Sequence, residues 1–179
     1  MDPDTCEKLD VERICTDPGA VVLRLPMVYG EYDPRRREEF VLGRLRAGRR
    51  RVPVGDGSWL WSRIWVDDVA AAIGCLLERG ARSGVFNLAE TETWSILEWG
   101  RRIAAAAGQS VEWVRVPDEL LPEDLEITAA RTQHLLIDAA RARSELGWRP
   151  TDPAVAQPEP RPQIRDLSRL RRSLQRAQK

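Results

Sequence analysis

The sequence predicts an α/β fold, and three observations lead to this prediction. Apolar residues make up 42% of the 179 positions, which is enough to build a core. Segments of strand character alternate with segments of helical periodicity along most of the chain. The first of these segments is a helix that leads into a buried strand, whereas a doubly wound sheet normally begins with a strand. We therefore expect the chain to enter an α/β fold part-way through.

The first third of the chain predicts four elements. Residues 4–16 predict a helix, in which the three-to-four residue repeat places Asp4, Lys8, Val11 and Cys15 on one stripe. The apolar, β-branched run AVVLRLPMVYG at 20–30 indicates a buried strand that passes into a loop. Residues 36–47 predict a second helix. The stretch 51–66, with GDG near its centre, predicts two short strands joined as a hairpin.

The next segment, VDDVAAAIGCLLERG, predicts an amphipathic helix. Either Asp67 or Asp68 is expected to cap its first turn, and the other to form a salt bridge. Its apolar residues share one helical face, which we expect to point into the core: Val69, Ala72, Ile73, Leu76 and Leu77.

The remaining elements alternate as far as Gly147. Short strands are expected at 85–90, 111–116 and 134–138. A helix between the first two, ending at Ala107, begins with a capping-box pattern that the chain supplies at Ser95 and Glu98.

The last part of the body is more irregular. Residues 117–130 are acidic and predict a loop or an irregular helix. A final helix runs to Leu146, with Asp138 as its expected cap and Gly147 at its end. Five prolines between 150 and 162 mark a boundary. The basic stretch beyond them predicts either a disordered tail or a helix that pairs with a partner.

Composition excludes several classes of function. The formal net charge is zero, so a general nucleic-acid or membrane-surface binder is not expected, although a weaker alternative is nucleic-acid contact through residues 161–179. No apolar run approaches the ~20 residues of a membrane span. Three cysteines without metal or disulfide spacing predict reduced thiols and a cytoplasmic protein. With His134 as the single histidine, no metal site is expected.

Four stretches, in order, resemble the extended short-chain dehydrogenase/reductases of the NAD-dependent epimerase/dehydratase family. They are EKLDVER, VVLRLPMVYG, SRIWVDDVAAAI and IDAARARSELGWRP, and together they span residues 4–150. The resemblance covers the C-terminal half of that family. It implies a remnant of a Rossmann (doubly wound) fold at 1–33, a small α/β substrate-binding domain at 34–153, and a Pro/Arg-rich tail at 154–179.

The resemblance gives Lys8 a catalytic and cofactor-binding role. In the family, the lysine of a Tyr-x-x-x-Lys pair bonds the nicotinamide ribose and lowers the pKa of the tyrosine one helical turn away. The chain has only two lysines, and Lys8 is the one that is not terminal. Asp4 occupies the tyrosine position, and a carboxylic acid cannot replace a phenol as the proton donor. The alternative for Lys8 is a surface lysine paired with a nearby acid.

The resemblance also assigns the remaining cofactor and substrate contacts. Pro26, Met27 and Val28 are expected at NAD or NADP, and Tyr29 at a small-molecule substrate such as a sugar nucleotide. Met27 stands where many relatives have asparagine, so plain packing is an equal alternative. No glycine-rich turn of the G-x-x-G-x-x-G type is found, and GDG at 55–57 is interpreted as a turn. Binding of the cofactor by this chain alone is therefore expected to be weak.

Three further positions are candidate substrate contacts. Trp61 stands at the usual place of a phosphate-binding arginine, and Arg63, two residues further along the strand, could replace it. Arg131 is a weaker candidate. The tryptophans at 59, 61 and 65 either line a pocket or cover a core. Arg24 is either a buried, paired cation or a charge at a strand edge.

Two functions remain open at this point. The resemblance implies NAD(P)-dependent oxidation or reduction, epimerisation or dehydration of a hydroxyl/carbonyl substrate, with hydride passing between the nicotinamide and the substrate carbon. The chain is expected to be a truncated form of such a protein. The alternative is a non-catalytic binding or scaffold protein that keeps the fold. The helix at 4–16 is a candidate homodimer contact.

Overall fold

The computed structural model describes residues 8–16, 20–80, 83–125 and 132–151. Five α-helices and eight short strands lie within these ranges. In chain order they are α1 (Lys8–Thr16), β1 (Val21–Arg24), β2 (Met27–Tyr29), α2 (Glu39–Arg46), β3 (Arg51–Val54), β4 (Leu60–Trp61), β5 (Arg63–Trp65), α3 (Val66–Arg79), β6 (Gly84–Asn87), β7 (Trp94–Ser95), α4 (Ile96–Ala106), β8 (Glu112–Arg115) and α5 (Ala140–Leu146). Two short 3-10 helices, Asp118–Leu120 and Glu123–Leu125, follow β8.

The strands pair mostly in parallel, as expected for an α/β fold. β1 pairs with β6, β2 with β5, and β3 with β8, all in parallel, while β4 and β7 form an antiparallel pair. The parallel partners lie far apart in sequence, and helices lie between them in the chain; α2, for example, lies between β2 and its partner β5. The α/β class predicted from the sequence is confirmed.

Two hydrophobic cores organise the molecule. The first core lies where α3 and α5 pack near β5 and β6, and its buried residues are Ile64, Ala72, Leu76, Phe86, Leu88, Ala89, Ala139, Ala142, Leu146 and Trp148. The second core lies among α2, α4 and β2, and its buried residues are Tyr29, Phe40, Val41, Trp99, Ile103 and Ala104. Apolar burial of this kind supplies the main driving force for folding.

Helix ends follow the sequence signals in three places. The Ser95 Oγ accepts the amide of Glu98 at 3.2 Å, so this part of the predicted capping box is confirmed. α3 and α5 both end at a glycine in the left-handed region, with φ of 62° at Gly80 and 64° at Gly147.

The predicted hairpin over 51–66 is wrong. β3 pairs with β8, and β4 pairs with β7, so the two strands that flank GDG go to different partners. The turn at Gly57, which has a φ of 66°, redirects the chain instead of folding it back on itself. The strand expected at 134–138 reduces to a single bridge between Trp61 and Leu135.

Neither aspartate caps α3 as predicted. The helix starts after Trp65 without a side-chain cap. Asp67 accepts the indole N–H of Trp65 at 3.2 Å. Asp68 is buried, and its Oδ1 accepts the amide and hydroxyl of Thr151 at 3.0 and 2.7 Å. Asp68 therefore fastens the end of the described chain to the first turn of α3.

The outward face of α3 differs from the prediction as well. Ile73 and Leu77, which were expected in the core, are 45% and 77% exposed. The helix turns Ala72 and Leu76 into the first core instead, and only one side of it is covered. Among the described residues, none of the helices has the length and apolar character that crossing a membrane would require.

Candidate functional site

A pocket of about 740 Å³ opens beside the second core. Its wall is mostly aromatic and aliphatic, and its rim carries arginines and two acids. The lining residues used below are Met27, Arg35, Arg36, Arg37, Glu39, Gly55, Trp59, Trp61, Trp99, Trp113 and Asp124. An apolar wall with a few charged groups at the rim is typical of a small-molecule site.

The GDG turn forms one edge of the pocket. A side chain at Gly55 would collide with the carboxylate of Asp118, whose Oδ1 lies 1.8 Å from the Cβ position. The same carboxylate accepts the amide of Asp56 at 3.3 Å. Arg115 donates to the carbonyls of Gly55 and Asp56 at 3.2 and 2.8 Å. Cross-links to the β8 region therefore fix this turn, which does not open a helix.

Three consecutive arginines stand at the rim. Asp33 accepts the backbone amides of Arg35 and Arg37 at 3.0 and 2.9 Å, and it also pairs with the Arg37 guanidinium at 2.7 Å. These bonds hold a loop in which Arg36 has a φ of 47°. Arg36 forms a salt bridge with Glu39 at 3.3 Å. Within the described ranges, the exposed Arg35 side chain has no ion-pair partner.

The two acids at the rim are already neutralised. Asp124 forms a salt bridge with Arg44 at 2.6 Å, and the hydrogen bond from Arg44 lowers the pKa of Asp124. Glu39 pairs with Arg46 as well as with Arg36. An anion that approaches the rim therefore meets Arg35 as the available cation.

The tryptophans of the wall are individually held in place. The indole N–H of Trp61 donates to the carbonyl of Gln133 at 2.8 Å. Trp113 fits against α4 only because position 100 is glycine, since a Cβ there would lie 2.3 Å from the Trp113 ring. Trp59 packs near the His134 ring, with 5.2 Å between centroids. A rigid aromatic wall of this kind suits the face of a sugar or a planar ring.

Arg63 lies behind this wall. Its side chain is buried with 1% relative exposure, and burial lowers its pKa to about 10. One guanidinium nitrogen donates to the carbonyls of Trp61 and Trp94 at 3.0 and 2.9 Å, and the group stacks over the Trp99 ring at 4.3 Å. Its other two nitrogens have no hydrogen-bond partner in the described structure. The pocket lining does not include Arg63, which supports the wall from behind through the Trp99 ring.

Tyr29 and Glu90 form a buried pair of hydrogen-bonded polar side chains. The Tyr29 hydroxyl donates to Glu90 Oε1 at 2.5 Å. Burial raises the pKa of Tyr29, and the neighbouring Glu90 raises it further. Burial also raises the pKa of Glu90, against the lowering effects of Tyr29 and Arg63. The phenol is therefore protonated near neutral pH and is held in the second core against Trp65 and Trp99.

The structure brings some of the predicted residues together. Met27 and Trp61 line the pocket. Val28 packs against the first core, and its carbonyl accepts a bond from Arg37 at 2.6 Å. Pro26 is half-buried between β1 and β2.

The other predicted residues lie apart from the pocket. Lys8 is exposed on α1. Arg24 is exposed and forms a two-pronged bond with Glu12 at 2.9 and 2.6 Å, which fixes α1 to β1. Asp4 and Arg131 lie outside the described residues, so their predicted roles stay predictions.

Sequence reasoning missed two features of the site. Arg35 lies in a polar, turn-rich stretch that resembled an ordinary surface loop, and the run of three arginines was its only signal. Glu90 lies three residues after the end of β6, and no local pattern places it against Tyr29, 61 positions away.

Comparison with known proteins locates the resemblance in the first half of the chain. Residues 6–89 match the NAD dependent epimerase/dehydratase family. The resemblance predicted from the sequence is thereby confirmed. The low-salt glycan biosynthesis protein Agl12 of Haloferax volcanii is 32% identical over 105 residues, which are 58% of this chain and 31% of that protein. The chain thus spans about a third of the length of this curated relative.

Solved structures share the fold at low sequence identity. RMD from Pseudomonas aeruginosa, complexed with NADPH, superimposes with a TM-score of 0.61 at 22% identity, over 81% of this chain and 49% of that chain. The UDP-glucuronic acid 4-epimerase of Bacillus cereus, complexed with UDP-glucuronic acid and NAD, has a TM-score of 0.61 at 20% identity, over 81% and 46% of the two chains. The chain therefore spans about half the length of these structures.

Proposed function

We propose that this chain is the substrate-binding part of an NAD(P)-dependent epimerase, dehydratase or reductase that acts on a sugar nucleotide or a related hydroxyl/carbonyl compound. The family match over residues 6–89 supports the reaction class. The observation that carries the proposal is the pocket of about 740 Å³ with its aromatic wall and arginine rim. Its volume lies in the range typical of small-molecule sites.

The pocket chemistry favours an anionic ligand that carries a sugar or another flat apolar face. Arg35 supplies a charge that no described acid neutralises, and a guanidinium matches the oxygens of a phosphate. Trp59, Trp61 and Trp113 line the same cavity and supply its aromatic surface. A ligand that places a phosphate at the arginine rim and a ring against the aromatic wall would be a phosphorylated sugar.

The described residues do not fit a complete dinucleotide site. A pyrophosphate is typically received where a glycine-rich turn opens a helix. In the described ranges, α3 and α4 start after Trp65 and Ser95, and the GDG turn lies between two strands. We therefore expect NAD(H) and NADP(H) to bind this chain weakly, and we derive no chemical step through the cofactor. Calorimetric titration that gave sub-millimolar affinity would contradict this expectation.

Tryptophan fluorescence provides a direct test of substrate binding, because Trp59, Trp61, Trp99 and Trp113 all line the pocket. UDP-glucose is the probe, with UDP and glucose as separate controls. We expect UDP-glucose to quench the emission and Arg35→Gln to weaken binding about tenfold, as loss of one charge-assisted hydrogen bond predicts. The matched control is Arg49→Gln, an exposed arginine outside the pocket, which should bind as the wild type does.

Two outcomes would contradict the substrate proposal. The first is an emission that none of the three probes changes. The second is equal affinity of the Arg35 and Arg49 variants for UDP-glucose, which would remove the rim from the site.

The alternative is a non-catalytic binding or scaffold protein. The specific observation in its favour is Asp4, which stands in the position of the family's tyrosine, four residues before Lys8. A protein of this kind would bind UDP-glucose without changing the absorbance of NAD(P)+ at the wavelength of the reduced cofactor. Any increase in that absorbance that depends on Lys8, lost in Lys8→Met, would rule this alternative out.

A further inference from the structure

The outward face of α3 carries an apolar stripe that the described structure leaves uncovered. Ala70, Ile73, Gly74 and Leu77 occupy positions i, i+3, i+4 and i+7 of one helical face, and three of them are exposed. Ile73 is 45% and Leu77 77% exposed, and neighbouring exposed apolar side chains mark a candidate interaction surface. A side chain added at Gly74 would meet no atom within 4 Å. The stripe is thus a shallow groove with a gap beside Ile73.

A segment of the same chain has the complementary pattern. Residues 161–179, called the basic tail below, contain seven basic residues and one acid, for a net charge of +6. Within the tail, Ile164, Leu167, Leu170 and Leu174 recur at spacings of three, three and four. That spacing places all four on one side of a helix.

Charge favours the same pairing. The whole chain sums to zero, so residues 1–160 carry −6 against the +6 of the basic tail. On α3, Asp67 and Glu78 are exposed beside the stripe. A basic helix with an apolar side therefore meets both an apolar groove and nearby acids on α3.

The last described residue, Thr151, lies next to α3, the helix that carries the apolar stripe. Thr151 is bonded to Asp68 in the first turn of α3. Residues 152–160 include three prolines, and nine residues of this type extend about 28 Å. α3 has 14 residues and is about 21 Å long, so this connection can deliver the basic tail to any point along the stripe.

We propose that the basic tail docks as a helix on the apolar stripe of α3, with Leu167, Leu170 and Leu174 against Ile73 and Leu77. The tail thereby covers the open face of the first core's main helix. The proposal does not depend on the substrate of the pocket, which lies beside the second core.

Hydrogen exchange of the full chain, read by mass spectrometry in peptides from the tail, tests this proposal. In the wild type we expect tail amides to exchange at least about tenfold more slowly than in an unstructured peptide. Leu167→Glu/Leu170→Glu should remove this protection. The matched control, Ser168→Glu/Ser173→Glu, adds the same charge on the flanks of the apolar side and should disturb the protection less.

The reciprocal variant is made on α3. Leu77→Glu should release the tail, whereas Ala71→Glu, an exposed position on α3 beside the stripe, should leave it protected. Tail amides that exchange at the unstructured rate in the wild type would overturn the proposal, as would protection that survives Leu77→Glu. Protection that grows with protein concentration, together with a doubled mass, would assign the stripe to a second copy of the chain instead.

Discussion

The two hydrophobic cores of this molecule differ in the buried ionisable groups beside them and in their access to the pocket. The clustered side chains of the first core are apolar, with the buried Asp68 at its edge hydrogen-bonded to Thr151, and its helices α3 and α5 end at left-handed glycines. The second core lies beside buried ionisable groups, among them Arg63 and Glu90, and opens into the pocket. Buried charges are costly unless they are paired, so a region that keeps them is a candidate for function. The first core therefore carries the fold, and the second carries the site.

The largest expected effect is a loss of stability, without a loss of ligand binding, when Trp148 of the first core is replaced. Trp148 is 1% exposed in the first core, and its indole N–H donates to the carbonyl of Asp68 at 2.9 Å. Trp148→Ala should lower the free energy of unfolding by about 3–5 kcal/mol, because it leaves a cavity and an unpaired carbonyl. Urea denaturation followed by circular dichroism measures the loss.

The same variant should leave the pocket intact. At urea-free conditions where Trp148→Ala is still folded, its affinity for UDP-glucose should equal that of the wild type. A milder variant, Trp148→Phe, keeps an aromatic ring and should lose less stability. A large loss of affinity in folded Trp148→Phe would show that the two cores are not independent.

The contrast between the cores explains what the sequence could predict. α3 and α4 have regular apolar spacing and a glycine or serine at one end, so their existence and one cap followed from local pattern. Ile73 and Leu77 were assigned to the core, but they are exposed. Periodicity shows that a helix has an apolar stripe but does not give the width of the part that is buried, which depends on tertiary packing.

The site was less predictable, for a physical reason. Arg63 was expected to touch substrate, but it is buried behind Trp99, since β5 lies inside the molecule and pairs with β2. The sequence contains no local signal for strand pairing between distant segments. The hairpin prediction was wrong for the same reason, because β3 takes a partner about 60 residues away instead of its neighbour.

A smaller effect is expected where the wall of the pocket meets α4. Gly100→Ala would place a methyl group 2.3 Å from the Trp113 ring, which must then move. The clash should cost about 1–3 kcal/mol of stability, and the displaced ring should also weaken UDP-glucose binding. Thermal unfolding and the fluorescence titration measure the two effects.

Gly43→Ala is the matched control for this substitution. Gly43 also lies inside a helix, α2, but its Cβ would meet only the flexible carboxylate of Glu39, at 3.3 Å. Alanine should be neutral there or stabilise the protein by up to about 1 kcal/mol through helix propensity. If both variants behaved alike, the close fit of Trp113 against α4 would not be what holds the wall.

The smallest effect is a change in the pH dependence of stability. Burial raises the pKa of Glu90 above its ordinary 4.5, so the folded protein holds this proton more tightly than the unfolded chain does. The contribution of Glu90 is therefore most favourable below pH 4.5 and is lost as the pH rises through the folded-state pKa. Glu90→Gln keeps an acceptor for the Tyr29 hydroxyl and removes the titration. Relative to the wild type, its unfolding free energy should improve as the pH rises above 4.5.

Urea unfolding at a series of pH values measures this difference, with exposed Glu92→Gln as the matched control. The control should follow the wild-type curve, because the Glu92 side chain is exposed in the folded protein. If Glu90→Gln also followed that curve, Glu90 would be charged in the folded protein over the whole range. The carboxylate would then be compensated by Arg63 and the Tyr29 hydroxyl, and the second core would contain a balanced ion pair in place of a neutral acid.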